Sequence, residues 1–357
     1  MRMVVDLRRG SPTPTMTVTA RASAAAELLR LIGALFSEEP TDYDVGRDRL
    51  DRIRDSVAPD LREQIERLRV VDDGKDFLLL SLLGAELPEP GGVDELIAAL
   101  REDPALSWRL LVTQYAQKFD AAADLASRLM SDDQGAFDEL RALADKAGDD
   151  QDLATLLDAD PNEHGRQLAE IVERFNDEVW RDLEDEAMGP IKRDVAHRME
   201  RLESGDDPTS VIVEATNGYE PPDDAGLQRI ILLPSYWMRP WLVIGQALDA
   251  EVISTVVADE FLILPSEAPP PALLKLAKAL SDESRLRLLR RMSSGPVSLS
   301  EATESLDVTK ATAHHHLSIL RQAGLVSMRG TGRATRYALR HDPADAARDA
   351  LSSYCCR

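Results

Sequence analysis

Cysteine is nearly missing from this chain of 357 residues: the only two, Cys355 and Cys356, are adjacent at its far end. Neighbouring cysteines close only a strained disulfide, so no framework of bridges holds the fold. Two thiols also make an incomplete metal site. Aromatic residues are scarce, at 4% of the chain, so any core must be largely aliphatic. Apolar runs are short; Phe77 to Leu83 falls far below the roughly 20 residues that a membrane helix needs. The opening MRMVVDLRRGSPTPT has no apolar segment of the secretory type. Together these point to a cytoplasmic protein with no membrane partner. Phosphate-cradling glycine loops, dinucleotide fingerprints, nucleophile elbows and HExxH are missing too, so the expectation is a protein without catalytic centre or cofactor.

Positive charge is the other deficit, for the net charge is −22. Its distribution is uneven. From Pro271 to the end there are fourteen Lys/Arg against eight Asp/Glu, a balance of +6, which leaves −28 on the first 270 residues. Basic charge gathered in one segment of an acidic chain marks a surface for a polyanion, and the acidic remainder confines contact to one face.

That segment carries the most informative stretch, Ser298 to Leu339. Ser298 and Glu301 have capping-box spacing for a helix that buries Ala302 and Leu306 and breaks around Asp307. Thr309 can cap a second helix with Ala313, Leu317 and Leu320 inward and Gly324 as a left-handed stop. At about 100° per residue, that packing turns Ala311, His314, His315 and Ser318 outward. Lys310 and Thr312 fall in the first turn, where free N–H groups favour a phosphate. Short and planar hydrogen-bonding side chains suit entry into a major groove. Two strand-like runs follow around Gly330-Thr331-Gly332, with Arg329, Arg333 and Arg336 as a clamp for backbone. His314-His315-His316 invites a metal, but consecutive helical residues diverge by about 100° and cannot converge on one ion.

With these elements in place, residues 272–340 resemble the winged-helix domain of ArsR/SmtB-type transcriptional regulators. The resemblance rests on ALSDESRLRLL (279–289), TKATAHHHLSILRQAGLV (309–326) and RGTGRATRYAL (329–339), and takes in about a fifth of the chain. It implies a homodimer on a double-stranded DNA operator, acting as a repressor and dimerising through its first and last helices. The metal ligands of some members are not matched. Ser298, Ser300 and Thr303 stand where their thiolates would be, and Asp342 to Tyr354 holds no His, so no metal site is expected.

The expected fold class is mainly α with small β elements: a winged helix-turn-helix at 269–357 after an acidic, mostly helical 1–268. Helices are predicted over 22–36, 44–57, 60–70, 76–86, 93–101, 104–118, 121–131, 134–147, 161–183 and about 190–204. Strands are predicted over 16–20, 210–213, 229–233, 241–244 and 252–257, forming a small sheet. Tyr236, Trp237 and Trp241 crowd around Arg239. They are either core packing at a strand end or the wall of a small-molecule effector pocket with Arg239 meeting an anion. The function expected is a DNA-binding transcriptional regulator; the alternatives are an enzyme or a protein-interaction platform tethered to DNA.

Overall fold

The computed structural model describes residues 17–37, 43–69, 75–116, 124–147, 151–221, 229–247, 250–262, 269–330, 335–340 and 343–355. Strand β1 (Thr17–Ala20) leads into helices α1 (Ala24–Leu35), α2 (Arg47–Ser56), α3 (Pro59–Leu68), α4 (Lys75–Leu80), α5 (Val93–Glu102) and α6 (Leu106–Ala116). Then come α7 (Leu125–Met130), α8 (Gln134–Ala147), α9 (Gln151–Asp158), α10 (Pro161–Glu178), α11 (Glu184–Glu203) and α12 (Pro208–Ala215). Strands β2 (Tyr219–Glu220), β3 (Arg229–Ser235), β4 (Val243–Ala247) and β5 (Ala250–Val256) precede the C-terminal part. That part is α13 (Pro271–Leu280), α14 (Glu283–Met292), α15 (Leu299–Leu306), α16 (Lys310–Gln322), β6 (Val326–Arg329), β7 (Arg336–Leu339) and α17 (Pro343–Cys355).

The expected sheet forms in the order β1-β3-β5-β4, with β4 antiparallel to β5 and the other pairs parallel. Both faces are covered, as a continuous apolar run such as Ile230-Ile231-Leu232-Leu233 requires. Ile231 and Leu233 join the large helical core, whereas Ile230 and Leu232 pack with Val211, Ile212 and Tyr219. Against the large-core side lies α1, with every residue buried, and Ser23 caps it by accepting from the Ala26 N–H. The segment expected to be a strand at 210–213 is instead inside α12. The Asp207 side chain accepts from Ser210 N at 3.0 Å and Pro208 occupies the first turn, and these start signals outweigh a short β-branched run. The helix expected over 161–183 ends at Glu178, and α11 begins at Glu184 rather than near 190; α9 was not anticipated.

A separate apolar cluster, from Leu276 to Tyr337, holds the C-terminal part together. It is nonetheless bound to the remainder through residues 216–220. Strand β2 pairs in parallel with β6 and makes a three-stranded sheet, β2-β6-β7. The Gly218 carbonyl accepts from Met328 N at 2.7 Å, and the Asn217 amide donates to the Gln322 carbonyl at 3.4 Å. Arg321, fully buried, donates to the Thr216 carbonyl.

Candidate nucleic-acid interface

The helix-turn-helix forms by its own local signals. Ser298 Oγ accepts from Glu301 N at 3.1 Å, and the Glu301 carboxylate accepts from Ser298 N at 2.7 Å. Asp307 adopts left-handed backbone, φ +54°, and turns the chain into α16. Thr309 Oγ1 accepts from Thr312 N at 3.2 Å and lies 2.9 Å from the Thr312 hydroxyl. Gly324, φ +73°, follows the helix end as a left-handed stop.

Burial divides α16 lengthwise. Thr309, Lys310, Ala311, Thr312, His314 and His315 are exposed, while residues 317 to 321 are all buried. The exposed half therefore presents a cation, two hydroxyls and two imidazoles at a helix N-terminus, where free N–H groups and the helix dipole attract phosphate. Ser318 is a correction. Expected outward, it is only 8% exposed, because the C-terminal half of the helix is enclosed on more sides than the inward stripe alone. His316 is half-buried with Nδ1 3.8 Å from Asp282, and burial holds its pKa below the usual histidine range.

Of the wing, Arg329 and Arg336 are exposed. Arg336 reaches the Glu301 carboxylate at 3.1 Å, which ties the wing to the start of α15. Glu301 sits below the usual carboxylate range, chiefly because it accepts from the Ser298 backbone N–H. Thr331 and Arg333 lie outside the described residues.

The 236–241 segment is positioned by buried charge. Glu27, on α1, accepts from the N–H groups of Tyr236 and Trp237, each at 2.7 Å. The Arg239 guanidinium, 2% exposed, pairs with Asp44 at 3.1 Å and with Asp259. Both carboxylates also meet Lys275 of α13, at 3.1 and 3.7 Å. The anion expected at Arg239 is therefore supplied by the chain itself. Trp237 is sealed in the core and the Tyr236 hydroxyl donates to Glu186 at 2.6 Å, so neither serves as the wall of an open pocket. Trp241 does border a cleft, opposite His315, with ring centroids 6.4 Å apart. One imidazole of α16 thus faces the acidic body.

Sequence reasoning missed Arg321 and the 216–220 arm. A signal for Arg321 was present: it falls four residues after Leu317, on the inward stripe, where a charge has to find a partner.

Residues 280–329 match the family model described as a helix-turn-helix domain. An uncharacterised HTH-type transcriptional regulator, YceK of Bacillus subtilis, is 40% identical over 70 residues, which are 19% of this chain and 70% of that protein. The chain belongs to the helix-turn-helix transcriptional regulators. This regulator is also similar to the Biofilm growth-associated repressor of Agrobacterium fabrum, 32% identical over 97 residues, 25% of this chain and 83% of the relative. A crystal structure of an ArsR family transcriptional regulator aligns at 27% identity over 23% of this chain and 90% of its own, with a TM-score of 0.22. These curated relatives are a transcriptional regulator and a repressor, and the share of this chain that they match is confined to about a quarter of its length.

Proposed function

We propose that this regulator is a homodimeric repressor that reads a dyad-symmetric operator in the cytoplasm, with 269–357 as the reading and dimerising domain and 1–268 as a sensor. The observation that carries the reading is the capped, basic, exposed half of α16 beside an arginine-bearing wing, in an otherwise acidic chain. The dimer is supported by exposed apolar side chains on two helices that pack together: Leu274 of α13, 54% exposed, and Leu351 and Tyr354 of α17, 51% and 40% exposed. Large apolar groups left in water on adjacent helices suit burial against a second copy. In the groove, Thr309, Ala311, Thr312 and His314 meet base edges or phosphate, Lys310 meets phosphate, and His315 joins them once it leaves Trp241. Arg329, Arg333, Arg336 and Thr331 hold backbone.

The test is selection of random duplexes on the purified protein, repeated with His314→Ala, Lys310→Ala and Leu351→Asp. The expected motif has half-sites about 10 base pairs apart. His314→Ala relaxes particular positions by about 1–3 kcal/mol, and Lys310→Ala weakens all sequences while lowering the salt slope by about 1. Leu351→Asp sediments as a monomer and loses dyad selection. A motif without dyad symmetry, or no sequence preference in any protein, refutes the reading.

A further inference from the structure

Three contacts hold α13 and α16 against the body. The 216–220 arm pairs β2 with β6, and the buried Arg321 donates to the Thr216 carbonyl. Lys275 of α13 lies between two carboxylates of the body, 3.1 Å from Asp44 and 3.7 Å from Asp259. Trp241 stands opposite His315 with ring centroids 6.4 Å apart, and Tyr43 and Asp44 line the same cleft. The charges on the body side of the ion cluster do not balance. Asp44 and Asp259 against Arg239 leave one negative charge, and Lys275 of the winged helix neutralises it. The body therefore offers the winged helix what a phosphate would offer, an anion for one of its cations. The contact at His315 has a steric consequence as well. A helix with its side chains is about 10–12 Å across, and the major groove is about 12 Å wide, so the inserted turns of a helix can carry no neighbour. His315 lies five residues beyond Lys310, in the second turn of α16, and Trp241 is in ring contact with it. The body fills space that a wall of the groove would need.

We propose that the acidic body is an intramolecular competitor of DNA. Docked on α13 and α16 in this way, it closes the winged helix to the groove, and DNA binds only those molecules in which the contact has opened. The proposal rests on α16 being the helix that enters DNA. It has a consequence of unusual sign. The apparent dissociation constant is the intrinsic one divided by the open fraction. Substitutions in the body that leave the winged helix unaltered should therefore tighten DNA binding, until the open fraction reaches one.

The experiment uses the full chain and a duplex recovered from a random library with the Gly218→Ala protein. All the substitutions lie in the body. Asp44→Ala leaves Lys275 and Arg239 to share one carboxylate. Gly218→Ala disturbs the arm, where a Cβ meets the backbone of β6. Glu170→Ala removes an exposed carboxylate from α10 and controls for a loss of general repulsion. Asp44→Ala is expected to tighten the duplex about tenfold, as for a half-buried ion pair, and Gly218→Ala up to about 30-fold. Glu170→Ala should change it less than about twofold. The contact itself is read from 15N-labelled indoles, the Trp241 resonance being the one lost in Trp241→Phe. That resonance should shift in Asp44→Ala, and in the wild type it should move the same way as the duplex saturates. Affinity that fails to rise in both Asp44→Ala and Gly218→Ala overturns the proposal, and so does an equal rise with Glu170→Ala. A Trp241 resonance that ignores saturating duplex overturns it too, because the body would then stay docked on DNA-bound protein. Failure of the wild type and every variant to bind any duplex counts instead against the DNA-reading function, and the proposal falls with it.

Discussion

Gly218 is the position at which the joint between body and winged helix can be loosened without touching either core. Its φ of +103° lies where side chains are rarely tolerated, and a Cβ there would sit 3.1 Å from the Val326 carbonyl oxygen and 3.2 Å from the Ser327 Cα. Both are backbone atoms of the winged helix, so relief requires the 216–220 arm to move away from β6. A non-glycine residue in such a conformation costs about 1–3 kcal/mol before any clash is counted. Taking about 2 kcal/mol, and tenfold per 1.4 kcal/mol, Gly218→Ala should raise the open population of the joint roughly 30-fold. The readout is amide exchange. The Met328 N–H is held by the Gly218 carbonyl at 2.7 Å, so its protection should fall by about that factor. The reciprocal Val297–Tyr337 pair, 2.8 Å in each direction, lies inside the winged helix and should keep its protection. Unchanged Met328 exchange, or an equal loss at Val297 and Tyr337, would refute the idea of a separable joint.

Two buried titrating groups give further checks. His164 sits 2.8 Å from Ser107 Oγ, and burial pushes its pKa down to about 4. The unfolded chain takes up the proton near 6.5 and the folded one does not, so stability falls between those values, by about 3 kcal/mol at 1.36 kcal/mol per unit. Urea midpoints of the wild type should drop over that window and those of His164→Gln should not. Glu251, whose carboxylate accepts from the Tyr219 hydroxyl at 3.1 Å, is raised above the usual carboxylate range by burial. A raised acid stabilises the fold while protonated and loses that contribution as pH climbs through its folded value. Glu251→Gln should therefore gain on the wild type in thermal melts as pH rises from 4 toward 8, and a constant offset would contradict this.

What could be read from the sequence was local. The Ser298–Glu301 box, the Thr309 cap, the Gly324 stop and the inward Ala313, Leu317 and Leu320 all act within four residues, and each stands where expected. The four sheet strands were legible because β-branched and aliphatic residues are concentrated in them, most clearly in the Ile230–Leu233 and Val252–Val256 runs. Contacts made across long separations were not legible. Arg239 was left open between core packing and a ligand because its carboxylates, Asp44 and Asp259, are 195 and 20 residues away. Ser318 was assigned to DNA on the premise of a single inward stripe, whereas α16 is enclosed on a second side along its C-terminal half. That second side is where contacts cross the domain boundary expected at residue 268, since residues 216–220 of the body complete the β2-β6-β7 sheet.

Helix α16 therefore has two different ends: one exposed, proposed for the groove, and the other held by the body. The hold is not purely favourable. Arg321 is buried with a carbonyl acceptor and, among the described residues, no carboxylate beside it, and burial pushes its pKa down to about 10. Set against 12.5, that is a penalty on the order of 3 kcal/mol for keeping the guanidinium charged. The penalty offsets part of the gain from burying Ile319 and Tyr219 and from the β2–β6 pairing. A penalty of that size is a sizeable part of the roughly 5.5 kcal/mol of differential affinity that shifts a balance from 1:99 to 99:1. Because α16 is a single rigid helix, release of Arg321 at one end and departure of His315 from Trp241 nearer the other are one motion. On the proposed reading, the motion that frees a buried charge would also carry His315 toward DNA.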